Sequence, residues 1–241
     1  MALVPVPEEV GGYVLAGGKS LRMGQDKALL KLAGKPLVRH AVKKLRRVCM
    51  DVRILSDNPA LEEYAPIVPD MHPGCGPMGG MEAALAHSVF EWNLFLPVDM
   101  PFLPSAFVQA SLSLWIHAPP TKGARIRMFS VDGRPQPGFC LLHKDVKPFL
   151  TKALENGEFK LMPLFQKAGT ELALRQGLLP EEGLWNVPMT GFRVTPGPKR
   201  LKADWCYTTE AQQRAEHLWF ANLNTPEDFS EAKRHIAALD T

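Results

Sequence analysis

Four short apolar runs, set among turn signals and helical stretches in roughly the first hundred residues, constrain this chain most: Tyr13–Leu15, Val52–Leu55, Ile67–Val68 and Phe95–Val98. Each is too short for a helix and reads as a buried strand. The helix expected from Pro36 to about Val48 puts Leu37, Val38, Ala41, Val42, Leu45 and Val48 on one side. A short helix is expected around Ala60–Tyr64, and another over Met81–Val89 after the glycine-rich loop Gly74–Gly80. Strands that alternate with helices build a parallel sheet with helices on both faces. Ligands of such sheets bind beyond the carboxyl ends of the strands. Gly17, Ser56, Asp70 and Asp99 all fall at such ends.

A length of 241 residues suits one large domain, or one domain with an insert. Apolar content of 46% and charged content of 22% are ordinary for a globular protein, and a net charge of +3 gives no dense basic stripe for nucleic acid. The four cysteines, Cys49, Cys75, Cys140 and Cys206, form no Cys-x-x-Cys pair, which argues against a zinc site and for free thiols in a reducing compartment. Met1–Val10 has no basic n-region, and no apolar run reaches the roughly 20 residues that span a bilayer. A cytoplasmic location is expected, with no membrane and no nucleic-acid partner.

Val14–Lys27 is the stretch around which the rest is organised. A strand gives way to Gly17 and Gly18, which let the backbone turn and approach a ligand without Cβ interference. Lys19, Arg22 and Lys27 add three cations to the same loop. Exposed amides with clustered cations suit a polyphosphate. The pattern is neither Gly-x-Gly-x-x-Gly nor a Walker loop. Asp99, at the end of an apolar strand between Pro97 and Pro101, is poorly placed for a surface ion pair. It reads as a helix cap or as a Mg²⁺ ligand, since Mg²⁺ takes one or two carboxylates plus phosphate oxygens.

Leu15-Ala16-Gly17-Gly18-x-Ser20-x-Arg22-Met23-Gly24-x-Asp26-Lys27-Ala28-Leu29-Leu30 resembles the signature loop of the molybdenum cofactor guanylyltransferase family, within the nucleotidyltransferase superfamily. Pro97-x-Asp99-x-Pro101 resembles its metal motif, with Val98 where cysteine is more usual, and Gly76–Gly80 its Gly-Pro-Leu-x-Gly loop. Asn222-Leu223-Asn224-Thr225-Pro226-Glu227-Asp228 resembles its closing motif. The resemblance implies a three-layer, Rossmann-like α/β nucleotidyltransferase fold with a mostly parallel central sheet. It implies transfer of GMP from GTP to molybdenum-bound molybdopterin, with Mg²⁺ as cofactor. Arg22, Lys27 and Asp99 are then the catalytic residues, and Asp99 the metal ligand. Leu15, Ala16, Gly17, Gly18, Lys27, Ser56, Asp70 and Asp99 bind the nucleotide, although Ser56 stands where the family often has asparagine. Asn222 and Asn224, expected two apart on a strand, contact the acceptor. Arg134–Pro137 lies where the family contacts the acceptor. Partners implied are GTP, a molybdopterin-type acceptor, and molybdoenzymes or other cofactor-biosynthesis proteins. The alternatives are a nucleotidyltransferase using CTP with molybdopterin or a sugar phosphate, and a non-catalytic nucleotide-binding or partner-binding protein.

The expected organisation is one domain over 1–241, with a nucleotide half of about 10–110, an acceptor half of about 111–241 and an insert near 171–218. Helices are expected over Phe102–His117, Asp145–Asn156 and Phe159–Lys167, and strands over Arg125–Val131 and Gly138–Leu142 around an Asp132-Gly133 turn. Val187–Leu201, with three prolines and two glycines, reads as a loop. Phe220–Asn224 reads as a strand end, and Thr225 as the cap of a last helix running to about Leu239. Lys43, Lys44, Arg46 and Arg47 read as a solvated cationic face at the end of the first helix. His40, His72, His143 and His217 show no partner spacing and read as structural or surface residues.

Overall fold

In the computed structural model, which describes residues 10–17, 26–117, 123–189 and 207–240, the short apolar runs do form neighbouring strands. Strand β1 (Val10–Leu15) is followed by the small hairpin β2 (Lys31–Leu32) and β3 (Lys35–Pro36), then helix α1 (Leu37–Leu45). Next come β4 (Asp51–Leu55), β5 (Ile67–Val68), α2 (Pro77–His87), β6 (Trp92–Pro97) and α3 (Ser105–His117). The remainder is β7 (Ile126–Val131), β8 (Arg134–His143), α4 (Lys147–Glu155), α5 (Leu161–Arg175), β9 (Leu184–Pro188), α6 (Glu210–Arg214) and α7 (Pro226–Arg234).

The main sheet has seven strands in the order β5-β4-β1-β6-β8-β7-β9. Of these, β8 alone runs against the rest: it is antiparallel to both β6 and β7, and β9 is parallel to β7. From β1 the chain reaches β4 on one side and later β6 on the other, a topological switch point at the carboxyl end of β1. Leu15 is in register with Leu55 of β4 and with Pro97 of β6. The residues that follow these three ends therefore emerge side by side.

The helices cover both faces, so the three-layer expectation holds. One face packs α1, α3 and α7 over β1, β4 and β6, with a cluster of Phe107, Trp115, Phe129 and Phe139 at its heart. The other packs α2, α4 and α5 through Met78, Met81, Leu150 and Phe165. Among the described residues no helix is long and apolar enough to cross a membrane.

Several local expectations need correction. Helix α2 begins at Pro77, not Met81, because proline suits the first helical position and Gly76 turns the chain with φ +65°. Gly79 and Gly80 are therefore helical rather than loop. Strand β8 begins at Arg134, four residues before the expected Gly138, and takes in Pro135, Gln136 and Pro137; its pairing to β7 is irregular there. Helix α5 runs on to Arg175, and Leu184–Pro188 joins the sheet as β9. The expected insert thus contributes a strand, while Val187 and Pro188 of the expected loop lie inside it. Residues 190–206, Cys206 included, lie outside the described residues. Phe220–Asn224 is not a strand, and the last helix ends at Arg234 before a short 3-10 turn over Ile236–Ala238. Lys44 is not on a solvated face: it is fully buried. His40 and His143 are buried and structural, as expected.

Candidate active site

The carboxyl ends of β1, β4, β5 and β6 open into two adjoining cavities. The ladder continues a step beyond the strands: the Ala16 amide donates to the Leu55 carbonyl at 3.2 Å, and the Val98 amide to the Leu15 carbonyl at 3.0 Å. Leu15, Ala16 and Gly17 are thereby fixed as a floor common to both cavities, with Pro77 of α2 beside them.

The first cavity, about 450 Å³, is lined by Ser56, Asp57 and Asn58 after β4, by Asp70 after β5, and by Asp26. No lysine or arginine lines it among the described residues. The Ser56 hydroxyl is buried and accepts from the Asn58 amide at 3.2 Å, so it shapes the turn while facing the cavity. The Asp57 carboxylate accepts from the Asp70 amide at 3.0 Å. Asp70 in turn accepts from the His72 amide at 2.8 Å and presses against Gly79, where an added Cβ would overlap its carboxylate. Burial raises the Asp70 pKa above the usual carboxylate value; the Asp57 and Glu82 charges add to this, and the His72 amide opposes it.

The second cavity, about 360 Å³, is lined by Lys27, Asp99, Gln136, Pro137, Asn222 and Asn224. The Lys27 ammonium donates to Asp99 Oδ2 at 2.6 Å and to Asn224 Oδ1 at 2.7 Å. Both side chains of the Lys27–Asp99 pair are largely shielded, 13% and 19% exposed, so water screens it less than a surface pair. Asp26 holds the start of this arrangement. Its Oδ1 accepts from the Ala28 amide at 2.9 Å and its Oδ2 from the Asn58 side chain, which ties Lys27 to the end of β4.

Asn224 is placed by the cap of α7. Thr225 and Asp228 form a capping box, and Asp228 Oδ2 also accepts from the Asn224 amide at 2.7 Å. That amide keeps the Asp228 pKa below the usual carboxylate value, with burial opposing and the Thr225 amide and hydroxyl adding to it. The Leu223 amide donates to the Asp99 carbonyl at 3.0 Å, so the segment expected to be a strand instead docks as irregular backbone on the Asp99 loop. Asn222 and Asn224 still reach the same cavity.

The structure thus gathers Leu15, Ala16, Gly17, Ser56 and Asp70 around one cavity, and Lys27, Asp99, Asn222 and Asn224 around its neighbour. Gly18, Lys19 and Arg22 lie outside the described residues. Sequence reasoning passes over Asp57 and Asn58 as turn chemistry, and Asp26 as part of a motif. The strand-end rule that finds Ser56 applies equally to its two successors. Among the described residues no three His, Cys, Asp or Glu side chains cluster to hold a metal. The oxygen donors beside Lys27 are one carboxylate and one amide, a set that suits a hard cation completed by phosphate and water rather than zinc. Chemically, the first cavity offers acceptors to a nucleoside. The second offers a cation and hard donors to phosphates.

The family described as the MobA-like NTP transferase domain matches residues 12–171. A molybdenum cofactor guanylyltransferase from Serratia proteamaculans is 37% identical over 169 residues, 67% of this chain and 82% of that protein. One from Vibrio cholerae is 33% identical over 173 residues, 68% of this chain and 80% of that protein. Among solved structures, molybdopterin-guanine dinucleotide biosynthesis protein A from Archaeoglobus fulgidus superposes with a TM-score of 0.67 at 21% identity, covering 94% of this chain and 98% of its own. The 2-C-methyl-D-erythritol 4-phosphate cytidylyltransferase from Thermus thermophilus gives 0.55 at 13% identity, covering 95% and 99%. At these identities the two structures speak for the fold alone. The sequence match, more than half of the chain and carrying both Lys27 and Asp99, goes further: this chain belongs to the MobA-like NTP transferase domain family and is a nucleotidyltransferase.

Proposed function

We propose that the protein transfers GMP from GTP to molybdenum-bound molybdopterin, giving the guanine dinucleotide form of the cofactor and pyrophosphate. The observation that carries this reading is the floor common to the two cavities. Leu15–Gly17 border both, while Asp57 and Asp70 lie on one side and Lys27 and Asp99 on the other. A nucleoside triphosphate laid across that floor puts its base among acceptors and its phosphates beside the ammonium. Guanine suits the acidic cavity because its N1–H and N2–H₂ groups are adjacent donors for a carboxylate. The names of the relatives support the same base and the molybdopterin acceptor.

The acceptor enters from the side of Gln136, Pro137, Asn222 and Asn224. An oxygen of its terminal phosphate attacks the α-phosphorus of GTP. The new P–O bond forms as the bond to the bridging α–β oxygen breaks, and pyrophosphate departs with that electron pair. Phosphoryl chemistry of this kind needs alignment and charge neutralisation more than proton transfer. Asn222 and Asn224 orient the attacking phosphate with neutral amide groups. Lys27 faces the charge that develops toward the leaving group, and Arg22 is given the same task on its place in the signature motif alone. Asp99 and Asn224 would hold Mg²⁺, which supplies further charge neutralisation at the phosphates when bound.

Calorimetric titration with GTP, CTP, UTP and ATP, with and without Mg²⁺, tests the base and the metal. Release of pyrophosphate on adding molybdenum-bound molybdopterin tests the transfer. Selective, Mg²⁺-strengthened binding of GTP is the expected result. A preference for CTP moves the protein to the cytidylyltransferases, and binding without turnover in the presence of active acceptor makes it a non-catalytic nucleotide binder.

A further inference from the structure

Lys44 is buried at 1% side-chain exposure in the last turn of α1, among cations that make it read as solvated in the sequence. Its ammonium donates to the backbone carbonyl of Pro101 at 2.8 Å, two residues beyond Asp99. The partner that accompanies it into the interior is Asp240, whose Oδ2 lies 3.5 Å from Lys44 Nζ and 3.5 Å from Arg47 Nη1. The Asp240 side chain is 7% exposed and well supplied with donors. It accepts from the Ser105 amide at 3.0 Å, the Ser105 hydroxyl at 2.6 Å and the Gln212 side chain at 2.9 Å. Ser105 opens α3, so the carboxylate also caps that helix where its exposed amides favour an anion.

Between β6 and α3 the chain makes a tight passage from Val98 to Pro104, in which Pro101 and Pro104 have no amide and the turn bonds are long, Met100 to the Pro97 carbonyl at 3.5 Å and Leu103 to the Met100 carbonyl at 3.4 Å. Beyond Val98, whose amide joins the Leu15 carbonyl, it is anchored from outside at three points. The Leu223 amide holds the Asp99 carbonyl, Lys44 holds the Pro101 carbonyl, and Asp240 holds Ser105. Two of the three come from one buried ion pair. Such pairs add little net stability compared with apolar side chains of the same volume; what they supply is a specified geometry. The aromatic and aliphatic face of α1, α3 and α7 around this pair could have been filled with leucine, and the loop would then have lost both of its polar anchors.

We infer that Lys44 and Asp240 are positioning residues that set the place of the Asp99 carboxylate in the second cavity, and hence the strength with which Mg²⁺ binds with the nucleotide. The inference rests on the proposed role of Asp99. The pair touches neither nucleotide nor acceptor. It acts through the Pro101 carbonyl and the first turn of α3. Lys44 tethers that passage to α1, and Asp240 ties α3 and α6 to the same point.

The test compares the wild-type protein with Lys44→Met, which keeps length but has no donor, with Asp240→Asn, and with the double variant. The double variant removes the Lys44 and Asp240 charges together and leaves Arg47, at 15% exposure and bonded to the Ser105 hydroxyl at 3.0 Å, as the one ion of the cluster. Three readouts are taken: the melting temperature, amide hydrogen exchange over Val98–Ser105, and the Mg²⁺ concentration at half effect on GTP binding. In the double variant, exchange at Met100, Phe102 and Leu103 is expected to quicken. The Mg²⁺ requirement rises about tenfold, as for loss of an outer-shell support, while Mg²⁺-free GTP binding stays unchanged. A lower melting temperature with unchanged exchange and an unchanged Mg²⁺ requirement overturns the inference and leaves the pair a purely structural one. If the wild-type protein itself binds GTP without regard to Mg²⁺, the role given to Asp99 fails instead, and the exchange rates alone then decide whether the pair positions the loop.

Discussion

The Lys27 ammonium lies 2.6 Å from the Asp99 carboxylate although 72 residues separate them in the chain, and both belong to one cavity wall. On the proposed roles, a cation and an anion this close, largely shielded from water, serve the ligand. Each can exchange its partner for a phosphate or a metal when substrate arrives. Asp99→Asn keeps the shape and removes the charge. It is expected to lower the transfer rate by about 10²- to 10³-fold and to abolish the Mg²⁺ effect on GTP binding. The melting temperature should change little. Full Mg²⁺-dependent transfer by Asp99→Asn or Asp99→Ala would remove Asp99 from the mechanism.

Lys27→Arg is expected to behave like Lys27→Ala rather than like the wild type. The compact ammonium fits between Asp99 Oδ2 and Asn224 Oδ1, at 2.6 and 2.7 Å, where a planar guanidinium cannot take the same place. Single-turnover pyrophosphate release measures this. Recovery of more than about a tenth of the wild-type rate, some 1.4 kcal/mol on the barrier, would contradict it.

Asn222 and Asn224 should separate kinetically. Asn224 bonds to Lys27, so Asn224→Ala is expected to reduce kcat. Asn222 lines the cavity without that bond, so Asn222→Ala is expected to raise KM for the acceptor and leave GTP binding intact. Equal effects of both on GTP affinity would move the acceptor elsewhere.

Gly79→Ala tests the nucleoside side without removing a polar group. The new Cβ overlaps the Asp70 carboxylate, which must move out of the cavity. GTP affinity is expected to fall about tenfold, while the melting temperature holds or rises, because alanine favours the helix. Unchanged GTP affinity would place Asp70 outside the nucleotide site.

Acid should weaken the fold through His40 as the pH falls below about 6.5. Burial pushes the His40 pKa below 6.5, with the Lys44 and Lys35 charges adding to this, while its bond to the Leu32 carbonyl at 3.0 Å pulls the other way. A folded pKa below the unfolded one means that the unfolded chain binds the extra proton first. The His40 contribution is therefore complete above about pH 6.5 and declines as pH falls from there through the folded value. Melting curves at pH 8, 6 and 5 check the slope, which should be shallower in His40→Gln. Asp240, whose pKa is also depressed, with burial opposing and Lys44 and the Ser105 hydroxyl prevailing, adds its own loss only below the ordinary carboxylate range.

Much of the fold and the site is legible in the sequence because the signals are local. Short apolar runs ending in turn residues mark the parallel half of the sheet, and their ends mark Gly17, Ser56, Asp70 and Asp99. Thr225-Pro226-Glu227-Asp228 announces a helix cap, and one is there. What escapes is decided by distant partners. Lys44 looks like any surface lysine until Asp240, nearly 200 residues later, is seen to meet it. Leu184–Pro188 has no strand signature beyond a few apolar residues, and becomes β9 because the edge of β7 is open to it. Asn222 and Asn224 reach one cavity without a strand, since hydrogen bonds to Asp99 and Asp228 shape their backbone. Asp57 and Asn58 are masked by turn chemistry, which is real: Asp57 accepts from the Asp70 amide and Asn58 from the Ala60 amide, while both line the first cavity.

The two cavities differ in when they can come into being. Among the described residues, those around the first all lie between Leu15 and Gly80, whereas the second needs Asp99, Gln136 and Asn224, and the Lys27–Asn224 bond closes a span of 197 residues. Chains emerge from the ribosome amino end first, and contacts distant in sequence are costly to close. On the roles proposed here, a nascent chain can hold the nucleoside end of its substrate before it has Asp99 beside the phosphates or anywhere to seat the acceptor. Nucleotide present during synthesis would then act as a template for the half already made, and transfer would begin only when Asn224 arrives to complete the cavity.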